Sequence, residues 1–257
     1  MNRIFPLGRT LLSSILIAFT LNLASAKSPV GQSNDAKIKE SDSLYQQYRK
    51  TEGLEALKRS AAILDALAEA DPNSYEIAWR RARAYYHWGD DIKGNSEKLR
   101  LFDQAIQSAT HATEVNSGGA EGHYWLGVSD GGYGEVKGMF KALSLTKSIR
   151  KEMETVIRIN SGYERGGAYV VLGRMDFELP GLLGGSKKRA IQEYQEGLKV
   201  APDNPLLTVY LADSYIEAGQ KDEAKAMLDR VLAQRGGDPN LRDAQHEAKK
   251  IYAKEFK

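Results

Sequence analysis

The side chains best placed to do chemistry are Arg174 and Phe177, about one helical turn apart on the same face of a helix-forming stretch. A planar guanidinium suits a carboxylate and the neighbouring ring suits a hydrocarbon, so the pair points to recognition of an amphipathic acid or of a partner's side chains. Catalytic patterns are thin. His87, His111, His123 and His246 show no HExxH or paired ligand spacing, and a chain without cysteine has no thiolate zinc, Fe–S cluster or thiol nucleophile. The run Gly181-Leu182-Leu183-Gly184-Gly185-Ser186-Lys187 carries phosphate-loop glycines but reverses the required Lys-then-Ser order. Ser186 stands where a helix N-cap would. There is no Gly-x-Ser-x-Gly elbow. The expectation is a binding protein that is not an enzyme, with no metal and no cofactor.

These groups must be held by helices. No segment alternates with period two for long enough to form a strand, whereas 3.6-residue periodicity places helices at 41–51, 54–70, 74–88, 97–115, 120–130, 139–159, 165–178, 187–200, 205–218, 221–234 and 239–255. Breakers fall between them, among them Asp71-Pro72-Asn73, Gly118-Gly119, Pro202-Asp203-Asn204-Pro205 and Gly236-Gly237-Asp238-Pro239. Three turns, Gly89 to Ser96, Asp130 to Gly138 and Glu178 to Ser186, read as expanded loops gathered along one edge.

The 257 residues carry 36 Lys+Arg against 34 Asp+Glu, too even a balance for a general nucleic-acid binder. Residues 1–26 read as a cleaved signal peptide: Arg3 and Arg9, an apolar run from Leu11 to Leu21, then Ala24-Ser25-Ala26. Without them the formal charge falls from +2 to zero, since both arginines leave and no acid does. The apolar run is shorter than the roughly 20 residues of a membrane span, so no stable membrane insertion is expected after cleavage. Residues 27–40, polar and without periodicity, read as a flexible leader, and 41–257 as one helical domain.

A period of about 34 residues organises that domain. Ala190…Tyr194…Gly197…Pro202, followed by Leu211-Ala212…Tyr215 and Ala224…Leu228, resembles the tetratricopeptide repeat. Tyr169…Leu172-Gly173 and His123…Leu126-Gly127 take the corresponding first-helix positions upstream, while Leu67 stands where a small residue is usual. The fold implied is an all-α solenoid of helical hairpins, roughly four and a half repeats with a C-terminal capping helix.

A narrower resemblance rests on Gly122 to Tyr215: His123-Tyr124-Trp125-Leu126-Gly127, Gly166-Gly167-Ala168-Tyr169-Val170-Val171-Leu172-Gly173-Arg174, Leu179-Pro180-Gly181-Leu182-Leu183-Gly184-Gly185-Ser186, and Ala201-Pro202-Asp203-Asn204-Pro205. This succession resembles the TatT-like T components associated with TRAP transporters. That resemblance implies a periplasmic partner of a TRAP solute-binding protein, assembly as a trimer, and clefts that take a small apolar organic acid. Family members are lipoproteins, and this chain has no cysteine to acylate, so the form expected is soluble and periplasmic. A more distant likeness is to eukaryotic regulator-of-microtubule-dynamics proteins, against which the bacterial style of the signal segment argues.

In the tetratricopeptide superhelix the first helix of each hairpin lines the concave face. Counting from Ala82, Gly127, Gly173 and Ala212, the inward positions are Trp79, Arg83, Tyr86 and His87; Tyr124 and Val128; Val170, Arg174 and Phe177; Val209, Asp213 and Ile216. The expected binding set is Trp79, Arg83, Tyr86, Tyr124, Val128, Val170, Arg174 and Phe177, beside the Leu179, Pro180, Gly181 loop. Such a groove offers an apolar wall and a cationic end. The other reading is a general envelope scaffold that binds protein alone, with no small ligand and no transport role; structurally, Arg174 would then pair with Glu178 or Asp213.

Overall fold

A computed structural model describes residues 29–256; the expected signal segment 1–26 lies outside the described residues. Among these residues the chain is all-α, with helices α1 (Pro29–Thr51), α2 (Leu54–Ala70), α3 (Tyr75–Asp91), α4 (Asn95–Val115), α5 (Ala120–Lys137), α6 (Met139–Asn160), α7 (Gly167–Glu178), α8 (Lys187–Val200), α9 (Pro205–Glu217), α10 (Lys221–Ala233) and α11 (Pro239–Glu255). Two single 3-10 turns, Tyr163–Arg165 and Gly181–Leu183, precede and follow α7. Consecutive helices pair as five antiparallel hairpins, and α11 packs on α9 and α10 as the final layer.

Small residues set the hairpin spacing. Ala82 and Ala212 are fully buried, and methyls added to Gly127 and Gly173 would overlap Met153 and Tyr194 of the second helix in their own hairpins. Gly197 does the same between hairpins, where an added Cβ would sit 2.8 Å from Leu207 and 2.9 Å from Tyr169. The register expected from the repeat therefore describes the packing. Leu67, the larger residue at a small-residue position, is buried at 1 % exposure, so the first hairpin absorbs it within the Leu57, Leu64 and Ile77 cluster.

Three boundaries differ from expectation, each for a physical reason. Helix α1 starts at Pro29 and not near Ser41: proline suits a first helical turn, and Ile38 packs against the first core cluster, so residues 29–40 are helix and not leader. The turns expected at Gly89–Ser96 and Asp130–Gly138 shrink to 92–94 and to Gly138, because α3 and α5 run on as helix. Their glycines are used for close approach: a Cβ on Gly89 would lie 3.2 Å from the Phe102 ring, one on Gly132 2.7 Å from it, and one on Gly134 3.0 Å from Ala142. Helical periodicity continued through residues whose composition reads as loop.

Only Leu179–Ser186 stays an expanded turn. Ser186 caps α8, its Oγ accepting from Arg189 N at 3.3 Å, and Ser186 N donates to Asp176 O at 2.8 Å. Asp176 has no exposed surface, and its carboxylate accepts from Arg150 of α6 at 2.8 Å and from Arg189 of α8 at 2.7 and 3.1 Å. One buried acid thus ties three helices to this turn.

Candidate functional site

The first helices of the hairpins, together with α11, surround a cavity of about 1180 Å³. It closes into a ring because the two ends of the solenoid meet: Arg49 on α1 donates to Asn240 Oδ1 at 2.7 Å and lies 3.7 Å from Asp243, while Arg242 on α11 reaches Glu52 at 2.8 Å. These partners are almost two hundred residues apart, so no repeat-by-repeat argument could have paired them. Surface ion pairs of this kind are individually weak, each worth well under ~1 kcal/mol.

Aromatic rings pave one wall, in a row that ends on Tyr163 behind the lining. Tyr48, Tyr45, His87, Trp125, Tyr124 and Tyr163 follow one another with ring centroids 6.1, 5.4, 5.4, 5.1 and 5.3 Å apart. Their polar atoms are mostly spoken for: Tyr48 donates to Asp91 at 2.7 Å, Tyr45 is bonded to His87 Nε2 at 3.1 Å, and Trp125 donates to Tyr163 at 3.1 Å. The hydroxyls of Tyr86, Tyr124 and Tyr210, all lining the cavity, have no hydrogen-bond partner among the described residues.

The cavity is acidic. Seven carboxylates line it against three arginines, and those arginines are already engaged, Arg49 and Arg242 in the closure and Arg83 with Asp42 at 2.6 Å beneath the Tyr45 ring. The carboxylates of Asp90 and Glu164 have no ion-pair or hydrogen-bond partner among the described residues. Desolvation pushes both above the ordinary carboxylate range, with Asp91 adding to the rise at Asp90, and with Arg83 and Arg49 opposing it at Glu164.

Glu164 is held there against the grain of its backbone. It sits in the left-handed region at φ 47°, ψ 41°, followed by Arg165 at φ 54°. Each such non-glycine residue costs about 1–3 kcal/mol. The brace is Arg165, whose guanidinium donates to Asp238 at 2.8 Å and to Asp203 O at 2.6 Å, while Asn204 Nδ2 donates to Arg165 O at 2.7 Å.

The expected site residues divide. Arg83, Tyr86, Tyr124, Val128 and Val170 line the cavity, as does His87. Trp79 does not: 9 % exposed, it packs beneath Arg80 and Arg83, whose guanidinium carbons lie 4.1 and 5.0 Å from its ring. Arg174 is no free cation, because Glu178 and Asp213 (3.5 Å) both pair with it and its guanidinium covers Tyr210 at 4.5 Å. Phe177 is 8 % exposed in the core of the last hairpins, beneath Lys187 Nζ at 3.4 Å. Val209 and Ile216 are core as well. The Leu179, Pro180, Gly181 turn lies at the hairpin edge and lines none of the cavity. Tyr45, Tyr48, Glu164 and the α11 acids went unread because the inward-facing register was counted from four central helices.

The family model for regulator of microtubule dynamics proteins 1–3 matches residues 37–188. The chain belongs to that family. The more distant of the two narrow resemblances is therefore the one this match bears out. Residues 185–247 match a tetratricopeptide repeat model, and the all-α fold of hairpins around them is of the tetratricopeptide type. The rat regulator of microtubule dynamics protein 3 is 24% identical over 169 residues, which cover 60% of this chain and 36% of that protein. The chain thus spans about a third of the length of that relative. A thermophilic TPR protein of Thermus thermophilus superposes with a TM-score of 0.62 at 16% identity, covering 86% of this chain and 99% of that one, and shows the fold.

One titration follows from the cavity wall. Desolvation, with Arg49 and Arg83 nearby, lowers the His87 pKa to about 3. A histidine neutral in the folded state and protonated in the unfolded state below about pH 6.5 costs stability as pH falls from there toward 3. Asp90 and Glu164, with raised values, act in the opposite sense, so the contrast must be made by substitution. Between pH 7 and about pH 4.5 the wild type should lose about 2 kcal/mol relative to His87→Gln, which keeps a partner for Tyr45. Chemical denaturation at the two pH values checks this; parallel losses in both proteins would show that His87 is solvated.

Proposed function

We propose that this is an exported, non-enzymatic tetratricopeptide scaffold whose ring cavity takes a basic segment of a protein partner. The observation that carries the reading is the pair of unpartnered carboxylates, Asp90 and Glu164, set among tyrosine hydroxyls and aromatic faces. An ammonium or guanidinium entering there gains a charge partner, a ring face and hydrogen-bond acceptors together. It also relieves two carboxylates of their desolvation cost. A carboxylate ligand would meet the same two acids with every lining arginine already in an ion pair and, of their buried nitrogens, only Nε of Arg83 without a partner, so the organic acid implied by the TatT-like resemblance fits this cavity less well. The Ala24-Ser25-Ala26 pattern supports export, with a mature N-terminus at Lys27.

Calorimetry with lysine- and arginine-rich peptides, matched acidic peptides and a panel of carboxylates tests the reading. Basic peptides should bind, Glu164→Gln should weaken them by about tenfold or more, and Arg174→Ala should leave their affinity unchanged while lowering the melting temperature. If carboxylates raised the melting temperature and basic peptides did not, a small-acid carrier, with a TRAP solute-binding protein as partner, would replace this reading. Recovery of residues 1–26 on the isolated protein would remove export.

A further inference from the structure

The outer edge of the solenoid carries apolar surface of a different kind. The α5–α6 and α7–α8 turns follow the first helix in consecutive hairpins, so stacking sets them side by side, and Arg150 and Arg189 meeting on Asp176 fasten the two hairpins behind them. At the first turn Met139 is 71 % and Phe140 90 % exposed; at the second Leu182 is fully exposed and Leu183 45 % exposed. The remaining exposed large hydrophobics, Val115, Ile159 and Val200, are only 36–42 % exposed and lie near the far ends of second helices. The exposure is therefore concentrated at one edge.

The charge around these tips is mainly positive, with Glu135 on the last turn of α5 the one exposed acid without an ion pair among the described residues there. Lys137, Lys141, Lys187 and Lys188 are exposed and free of ion pairs among the described residues, with Lys137 and Lys141 each 5.8 Å from the Tyr133 ring. At the second tip the nearest acid, Glu178, is paired with Arg174. The apolar residues project as separate knobs from two turn tips and do not line a groove into which a partner helix could be laid. Knobs ringed by lysines complement a surface that is anionic outside and apolar beneath.

We propose that this edge docks on the surface of an anionic lipid bilayer, with Phe140 and Leu182 entering the acyl boundary and the four lysines facing the headgroups. No described helix is long and apolar enough to cross a membrane, so the contact is peripheral. It is independent of the cavity, whose acidic lining faces the ring interior.

Sedimentation of the full protein with vesicles of phosphatidylcholine alone, and with phosphatidylserine added, is the test. Binding is expected to the mixed vesicles only, to fall at least tenfold in Phe140→Asp/Leu182→Asp, and to fall several-fold in Lys141→Glu/Lys187→Glu or at about 0.5 M salt. The chain has no cysteine, so Leu182→Cys carries a single environment-sensitive fluorophore at a fully exposed position. Its emission should shift to the blue on adding mixed vesicles, whereas a label at Glu69→Cys on α2 should not shift. Equal sedimentation of wild type and the Phe140→Asp/Leu182→Asp variant overturns the proposal. So does a dimer, seen by light scattering, that the same variant dissolves without any vesicle binding.

Discussion

Gly173→Ala is expected to destabilise the protein by about 2–4 kcal/mol, even though alanine is the better helix former by about 1 kcal/mol. The added methyl would overlap the ring of Tyr194, which is fully buried between α7 and α8 and has nowhere to withdraw. The hairpin must then spread, and that strains the adjoining approach at Gly197. Pairing the change with Tyr194→Leu should return part of the loss, a coupling of about 1–3 kcal/mol in a double-mutant cycle read by urea denaturation. Tyr194→Phe is the control: the hydroxyl is buried without a hydrogen-bond partner, so its removal should cost less than ~1 kcal/mol or even stabilise. Additive losses in the cycle would mean that Gly173 is needed for something other than room for this ring.

The same residues show what was legible in the sequence. Gly173, Gly127, Ala82 and Ala212 reveal themselves by spacing, because a repeated small residue at the crossing of two helices is a local, periodic requirement. All eleven helices were legible for that reason. Gly89, Gly132 and Gly134 misled because a glycine that admits a neighbouring ring looks, in sequence, like a glycine that ends a helix. The cavity was half legible. Arg83, Tyr86, Tyr124, Val128 and Val170 follow from the register, but the sign of the field inside does not. It depends on α1 and α11 meeting through Arg49 and Arg242, and on a left-handed turn that presents Glu164. For Arg174 the sequence left both recognition and pairing with Glu178 or Asp213 open, because those acids lie one turn along α7 and on the next hairpin, where spacing alone cannot separate the two; the structure shows the pairing.

Removal of residues 238–257 should have the largest effect of all, a loss on the order of 5 kcal/mol, accompanied by aggregation. Helix α11 buries Leu241, Ala244, Ala248 and Ile251 against α9 and α10, and burying two large aliphatic side chains and two alanines accounts for most of that figure. It also caps its neighbour: Gln245 Nε2 donates to Val231 O, which Gln234 N already bonds at 3.3 Å, and to Gln234 O just beyond the end of α10, both at 3.0 Å. Two other losses accompany the deletion, the Arg165–Asp238 brace behind Glu164 and the closure of the ring. They can be told apart from the core term. Arg49→Ala/Arg242→Ala breaks the closure and leaves the apolar face covered, so it should change stability by less than ~1 kcal/mol, because exposed ion pairs contribute little. A truncated protein that stayed monomeric and melted like the intact one would contradict the packing of α11. A double arginine variant as unstable as the truncation would instead place the ring closure, and not the buried stripe, at the centre of the fold's stability.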